Sequence, residues 1–142
     1  MRPSPQLPGE TMSRHLLLSC LLLCLPLAAA AVEVSEADAP PIKKLNGHLV
    51  DAKGRALYTW DGDVSPGRST CNNQCRILWP PISAAPGAKP KGPFDLVKRD
   101  DGSQQWALRG KPLYRWKSDK NFGDAGGDGV SGVWHLVKVG GK

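Results

Sequence analysis

A chain of 142 residues has room for one domain of about 100–150 residues and little more. Its formal charge of +6 comes from Lys and Arg scattered among Asp. With no basic run interleaved with aromatics, nucleic acid is excluded as the expected partner, whereas an anionic polymer or an envelope component stays open.

The first third stands apart in composition. From Leu16 to Ala31 the chain is apolar apart from Ser19 and Cys, with Arg14 and His15 ahead and Ala28-Ala-Ala-Ala31 behind. That order of charged, apolar and small residues predicts a secretory signal peptide over 1–31, with translation starting at Met1 or Met12. Pro26 interrupts an apolar run already short of the roughly 20 residues that a spanning helix needs, so an integral membrane protein is not expected. Leu17-Leu-Ser-Cys20 loosely fits a lipid-attachment box, but cleavage before Cys20 would leave only Leu16–Ser19 as the apolar core. Soluble export, periplasmic or secreted, is therefore expected over lipid anchoring at Cys20. Removing the leader takes Arg2, Arg14 and Glu10, and leaves a net charge of +5 and two cysteines, Cys71 and Cys75.

Residues 32–44 carry Glu33, Glu36, Asp38 and Pro40-Pro41 without an apolar period, and are expected to be a flexible segment ahead of a domain over 45–142. Within that domain Gly54-Arg-Ala-Leu-Tyr-Thr-Trp-Asp-Gly-Asp63 is written again as Gly110-Lys-Pro-Leu-Tyr-Arg-Trp-Lys-Ser-Asp119. One offset, 56, relates Gly54/Gly110, Leu57/Leu113, Tyr58/Tyr114, Trp60/Trp116, Asp63/Asp119 and Gly67/Gly123. Self-similarity at a fixed spacing means one supersecondary unit used twice, each copy covering the face that the other leaves open.

His48–Asp51 and Arg55–Trp60 read as strand, turn, strand, with Gly54 supplying the turn's positive φ. Alternation puts Leu57 and Thr59 on one face, Tyr58 and Trp60 on the other. Ser69 to Trp79, with a Ser/Thr cap and Pro80-Pro81 as a stop, is the best helix candidate. The Pro- and Gly-rich run from Ile82 to Pro93 should be a surface loop. Phe94 to Trp106 predicts a hairpin around Asp101-Gly102; Gln105–Leu108, a turn and Leu113–Trp116 repeat the first motif. Pro112 belongs at a strand start or edge, and Gly132–Lys138 should close the sheet. The fold class is mainly β: a small single domain of two related β-hairpin repeats, about 48–82 and 94–138, with one short helix around Cys71–Trp79.

The doubled Tyr-x-Trp-x-x-Asp motif, with Cys-x-x-x-Cys and Trp-Pro-Pro after the first copy and Gly-Asp-Gly-Val-x-Gly-Val-Trp-His after the second, resembles the bacterial secreted-repeat proteins, also described as predicted lipoproteins with a Tyr-x-(Phe/Trp/Tyr)-x-x-Asp motif. The resemblance covers roughly Leu49 to Val137 and falls on Tyr58, Trp60, Asp63, Tyr114, Trp116 and Asp119. It implies export, repetition and domain identity, and no reaction.

The motif residues have two readings. Tyr and Trp two apart share a strand face and can form the core, with Asp63 and Asp119 accepting from turn amides or from a Tyr hydroxyl. Alternatively the same rings form a platform for sugars or flat ligands, which needs Tyr58 or Tyr114 open to solvent. Cys71 and Cys75, exported and one helical turn apart, are expected to form a disulfide. The alternative is a copper or electron-transfer site of Cys71 and Cys75 with His135 or His48, since soft thiolates suit Cu(I). Asp119, Asp124 and Asp128 in the glycine-rich loop match no calcium-binding spacing and read as solvated turn residues. Nucleophile-elbow, zinc-protease and phosphate-loop signatures are missing, which leaves an enzyme unargued. The expected role is a binding or structural module of the bacterial envelope or exterior.

Overall fold

The computed structural model describes residues 3–5, 9 and 39–140. The leader expected over 1–31, Cys20 with it, and residues 32–38 lie outside the described residues, except for 3–5 and 9.

Asn46 and Gly47 both take positive φ, +48° and +79°, the two left-handed residues of a tight hairpin turn. They fold Ile42–Leu45 (β1) back on His48–Asp51 (β2) with Leu45 opposite His48. The sheet thus takes in Ile42–Lys44, so the segment expected to stay flexible to residue 44 ends earlier. The missed signal was the Asn-Gly turn. Asp51 closes the next turn, and Tyr58–Trp60 (β3) follows.

Gln74–Leu78 (α1) is the helix, shorter than expected, and its N-cap is Asn73 with no side-chain cap bond. The hydroxyls expected to cap it are in use elsewhere: Thr70 Oγ1 donates to Gly62 O and Asp63 Oδ1, and Ser69 Oγ meets the Tyr114 hydroxyl. Ser83–Ala84 (β4) interrupts the expected loop. Phe94–Lys98 (β5) and Gln104–Leu108 (β6) form the predicted hairpin. Arg109 and Gly110, again at positive φ, turn β6 into Lys111–Pro112 (β7), where the proline sits at the sheet edge beyond β6. After a 3-10 turn over Val130–Gly132 comes the closing strand Trp134–Leu136 (β8).

The two copies exchange strands. β8, from the second copy, pairs with β3 of the first, Trp60 opposite Trp134. Val137 completes the insertion, its N–H donating to Leu57 O and its carbonyl accepting from Leu49 N. The first copy returns the same contact. Ile82 N–H donates to Leu113 O, and Ile82 O accepts from Trp106 N. Where they meet, Tyr58 and Tyr114 exchange both backbone hydrogen bonds, at 2.8 and 2.9 Å. The turns are tied reciprocally too, Gly67 N to Gly110 O and Gly123 N to Gly54 O, both at 2.9 Å. These pairs map onto one another under the sequence offset, so the halves are related by an approximate two-fold.

Strand alternation then sorts the apolar residues into two cores. Leu57 and Leu113 join Leu49, Ile82, Trp106 and Val137 on one side. Tyr58 and Tyr114 join Ala56, Cys71, Trp79 and Trp134 on the other. Both faces of the motif strands are therefore buried at the centre, where the sequence pattern showed only one aromatic face. No helix among the described residues is long and apolar enough to cross a membrane.

Candidate functional site

The six motif residues converge, and they do so across the copies. The Tyr58 hydroxyl donates to Asp119 Oδ2 at 2.6 Å, and the Tyr114 hydroxyl donates to Asp63 Oδ2 at 2.6 Å. Each aspartate uses its other oxygen on its own loop: Asp63 Oδ1 accepts from Thr70 N at 2.8 Å, Asp119 Oδ1 from Gly126 N at 3.0 Å. Each carboxylate thus fixes a turn in one copy and anchors a tyrosine of the other, combining both roles expected for it.

Between them runs a column of tryptophans. Trp60 stacks on Trp134 (ring centroids 5.4 Å apart), Trp134 on Trp79 (3.8 Å) and Trp79 on Trp116 (5.8 Å). Tyr58 meets Trp79 edge-on, and Tyr114 meets Trp134 edge-on, the arrangement favoured by ring quadrupoles. Gly62 and Gly126 lie against the end rings. An added Cβ would fall 2.4 Å from a Trp60 ring carbon and 2.9 Å from one of Trp116.

The platform reading fails on burial. Tyr58 and Tyr114 are both 0% exposed, while Trp60 and Trp116, at the column ends, are half-buried. The tyrosine rings are core, because their hydroxyls find a carboxylate inside and cost nothing in unpaired polar surface.

Burial, then the hydrogen bond to Asp119, pushes the Tyr58 hydroxyl well above its ordinary range; burial and the bond to Asp63 do the same for Tyr114. A raised folded-state pKa gives stability that is full below the unfolded value of about 10 and is lost as pH rises beyond it, because only the unfolded chain releases its protons there. The chain has only two tyrosines. We therefore expect no tyrosinate absorbance at pH 11 while the protein stays folded, then its appearance together with unfolding. Tyrosinate rising near pH 10 in folded protein would contradict this burial.

Cys71 and Cys75 form a disulfide with their Cα atoms 5.2 Å apart. Both sulfurs of the copper alternative are thus bonded to each other. His135 Nε2 lies 2.9 Å from Asp61 Oδ2, and His48 sits in β2, its Nε2 buried without a hydrogen-bond partner. Among the described residues no group of three or more His, Cys, Asp or Glu could hold a metal ion. In the glycine loop Asp124 Oδ2 accepts from Lys120 N and Asn121 N, and Asp128 Oδ1 from Leu136 N, so these carboxylates serve the backbone.

Sequence reasoning missed Arg99. It is 4% exposed and donates to Ser69 Oγ, Gln105 Oε1, Cys71 O and Asn72 Oδ1. With the Tyr114 proton committed to Asp63, Ser69 donates to Tyr114, so one relay links Arg99 to the motif. Its guanidinium fastens the disulfide loop to β6. The missed signal was an arginine inside a hairpin read as solvated.

A family model described as "Secreted repeat of unknown function" (Lipoprotein_15) matches residues 42–83 and 95–138. The chain belongs to this secreted-repeat family. The first matched repeat begins at Ile42, as β1 does, and not near His48 as expected. The boundary between repeats falls in the loop across which the secreted repeats exchange strands. No curated protein and no solved structure matches the chain.

Proposed function

We propose that this secreted repeat is an exported bacterial module that acts by binding, at the envelope or outside it, on a scaffold rigidified by strand exchange. The observation that carries this reading is the placement of the motif. Tyr58, Tyr114, Asp63 and Asp119 are spent on each other in the interior, so the duplicated motif builds a frame, and ligand contact falls to the outer side chains. The positive charge of the mature chain favours an anionic polymer of the envelope.

Purified residues 32–142 should co-sediment with insoluble bacterial envelope at low salt, and the pelleted fraction should fall as ionic strength shortens the screening length. Protein that stays in the supernatant at low salt, with its near-ultraviolet spectrum intact, would overturn envelope binding.

A further inference from the structure

One surface cluster departs from the two-fold. Asp51, Arg55 and Arg115 line a cavity of about 220 Å3 together with Pro41, Pro81 and Ile82. Under the offset of 56 their counterparts are Ala107, Lys111 and Thr59. The interlocked frame is therefore built in the other half without this charge set.

Asp51 is already saturated. Its Oδ1 accepts from Lys53 N and Arg55 N, and its Oδ2 from Arg55 Nε at 2.9 Å and Nη2 at 2.6 Å. Arg115 Nη1 lies 3.9 Å from the same Oδ2, beyond hydrogen-bond reach. Among the described residues the Arg115 side chain makes no hydrogen bond, although it is two-thirds buried. Burial and the neighbouring Arg55 charge both act against its protonated form, with Asp51 opposing them. Two guanidiniums and Lys53 thus share one carboxylate, leaving the cavity with an uncompensated positive charge.

We propose that Arg115, backed by Arg55, is a binding site for the carboxylate of a small organic acid. The planar fork of an arginine matches a carboxylate with two parallel hydrogen bonds. The remaining wall is proline and isoleucine, which suits a compact apolar body over a second charged group. The cavity is smaller than the roughly 300–1,000 Å3 that takes drug-sized molecules, so the occupant is a short acid or the acidic end of a polymer. The site deepens the binding reading above, yet the two fail separately: it can hold in solution even if the protein does not sediment with envelope.

The test is a titration of the protein, its leader removed, with sodium butyrate, followed through backbone amide resonances. Inorganic phosphate and propylammonium chloride serve as parallel probes at equal ionic strength. Saturable butyrate shifts are expected at 52–55 and 115, with affinity at least tenfold weaker in Arg115→Gln and unchanged in Arg68→Gln, which alters an exposed arginine elsewhere. Absence of saturable shifts in the unmutated protein overturns the site. Equal weakening by Arg68→Gln reduces it to diffuse charge attraction, and tighter phosphate than butyrate binding at the same amides overturns the carboxylate assignment. The unmutated titration decides the matter should Arg115→Gln not fold.

Discussion

Replacing Trp134 by alanine is expected to cost about 3–5 kcal/mol, enough to unfold a domain whose total stability is on the order of 5–15 kcal/mol. Trp134 is 4% exposed and is held on several sides: Trp60 stacks on it, Trp79 stacks on it at 3.8 Å, and Tyr114 meets it edge-on. Its strand also carries the backbone bonds of β8 to β3. Truncation would leave a ring-sized void between residues from both copies, so neither half could close it without giving up the pairing. Trp79→Ala should cost a similar amount, since Trp79 is equally buried and touches Tyr58, Trp116 and Trp134. Trp116→Ala, at a half-buried end of the column, should cost less, about 1–3 kcal/mol. Guanidinium denaturation followed by near-ultraviolet circular dichroism would order the variants. A Trp116 variant as damaged as Trp134 would contradict the column as described.

Cutting the chain in the loop between the copies should leave neither half able to fold alone. A fragment ending near residue 88 keeps β1, β2 and β3 but loses β8 and Val137, which fill the gap beside them. A fragment starting near residue 90 keeps β5, β6 and β7 but loses Ile82 and β4. Each would expose a sheet edge, half the tryptophan column and a tyrosine whose carboxylate partner is on the other piece. The expected result is two fragments without a cooperative transition, which regain the near-ultraviolet spectrum and a single unfolding step on mixing. A fragment that unfolds cooperatively by itself would show that strand exchange is not what holds the fold.

The Cys71–Cys75 bond contrasts with both. It closes a loop of only a few residues, so the chain entropy that it removes is small beside the cost of the column variants. Its geometric value lies in presenting the Cys71 carbonyl to Arg99, which the sequence gave no reason to pair with it.

Local chemistry made several features legible before any coordinates. The offset linking Tyr58 to Tyr114 and Trp60 to Trp116 is a matter of spelling. Period-two alternation separates Leu57 from Tyr58, and the cysteine spacing permits a bridge, because both depend only on backbone geometry over a few residues. Even the missed β1–β2 hairpin was written locally, in Asn46-Gly47.

Partner choice was another matter. Because the copies carry the same residues at the same places, a Tyr58 bonded to Asp63 and a Tyr58 bonded to Asp119 predict the same pattern; only closure of the chain selects the second. The membership of Trp79 and Trp134 in one stack, the burial of Arg99, and the gathering of Arg55 and Arg115 around one saturated aspartate depend likewise on contacts between residues far apart in the chain. Side-chain type and spacing determined that two units would bury aromatic faces against each other. The three-dimensional exchange of strands decided which aspartate, which tryptophan and which arginine each face would meet, since a duplicated sequence encodes identical surfaces and leaves their pairing to packing.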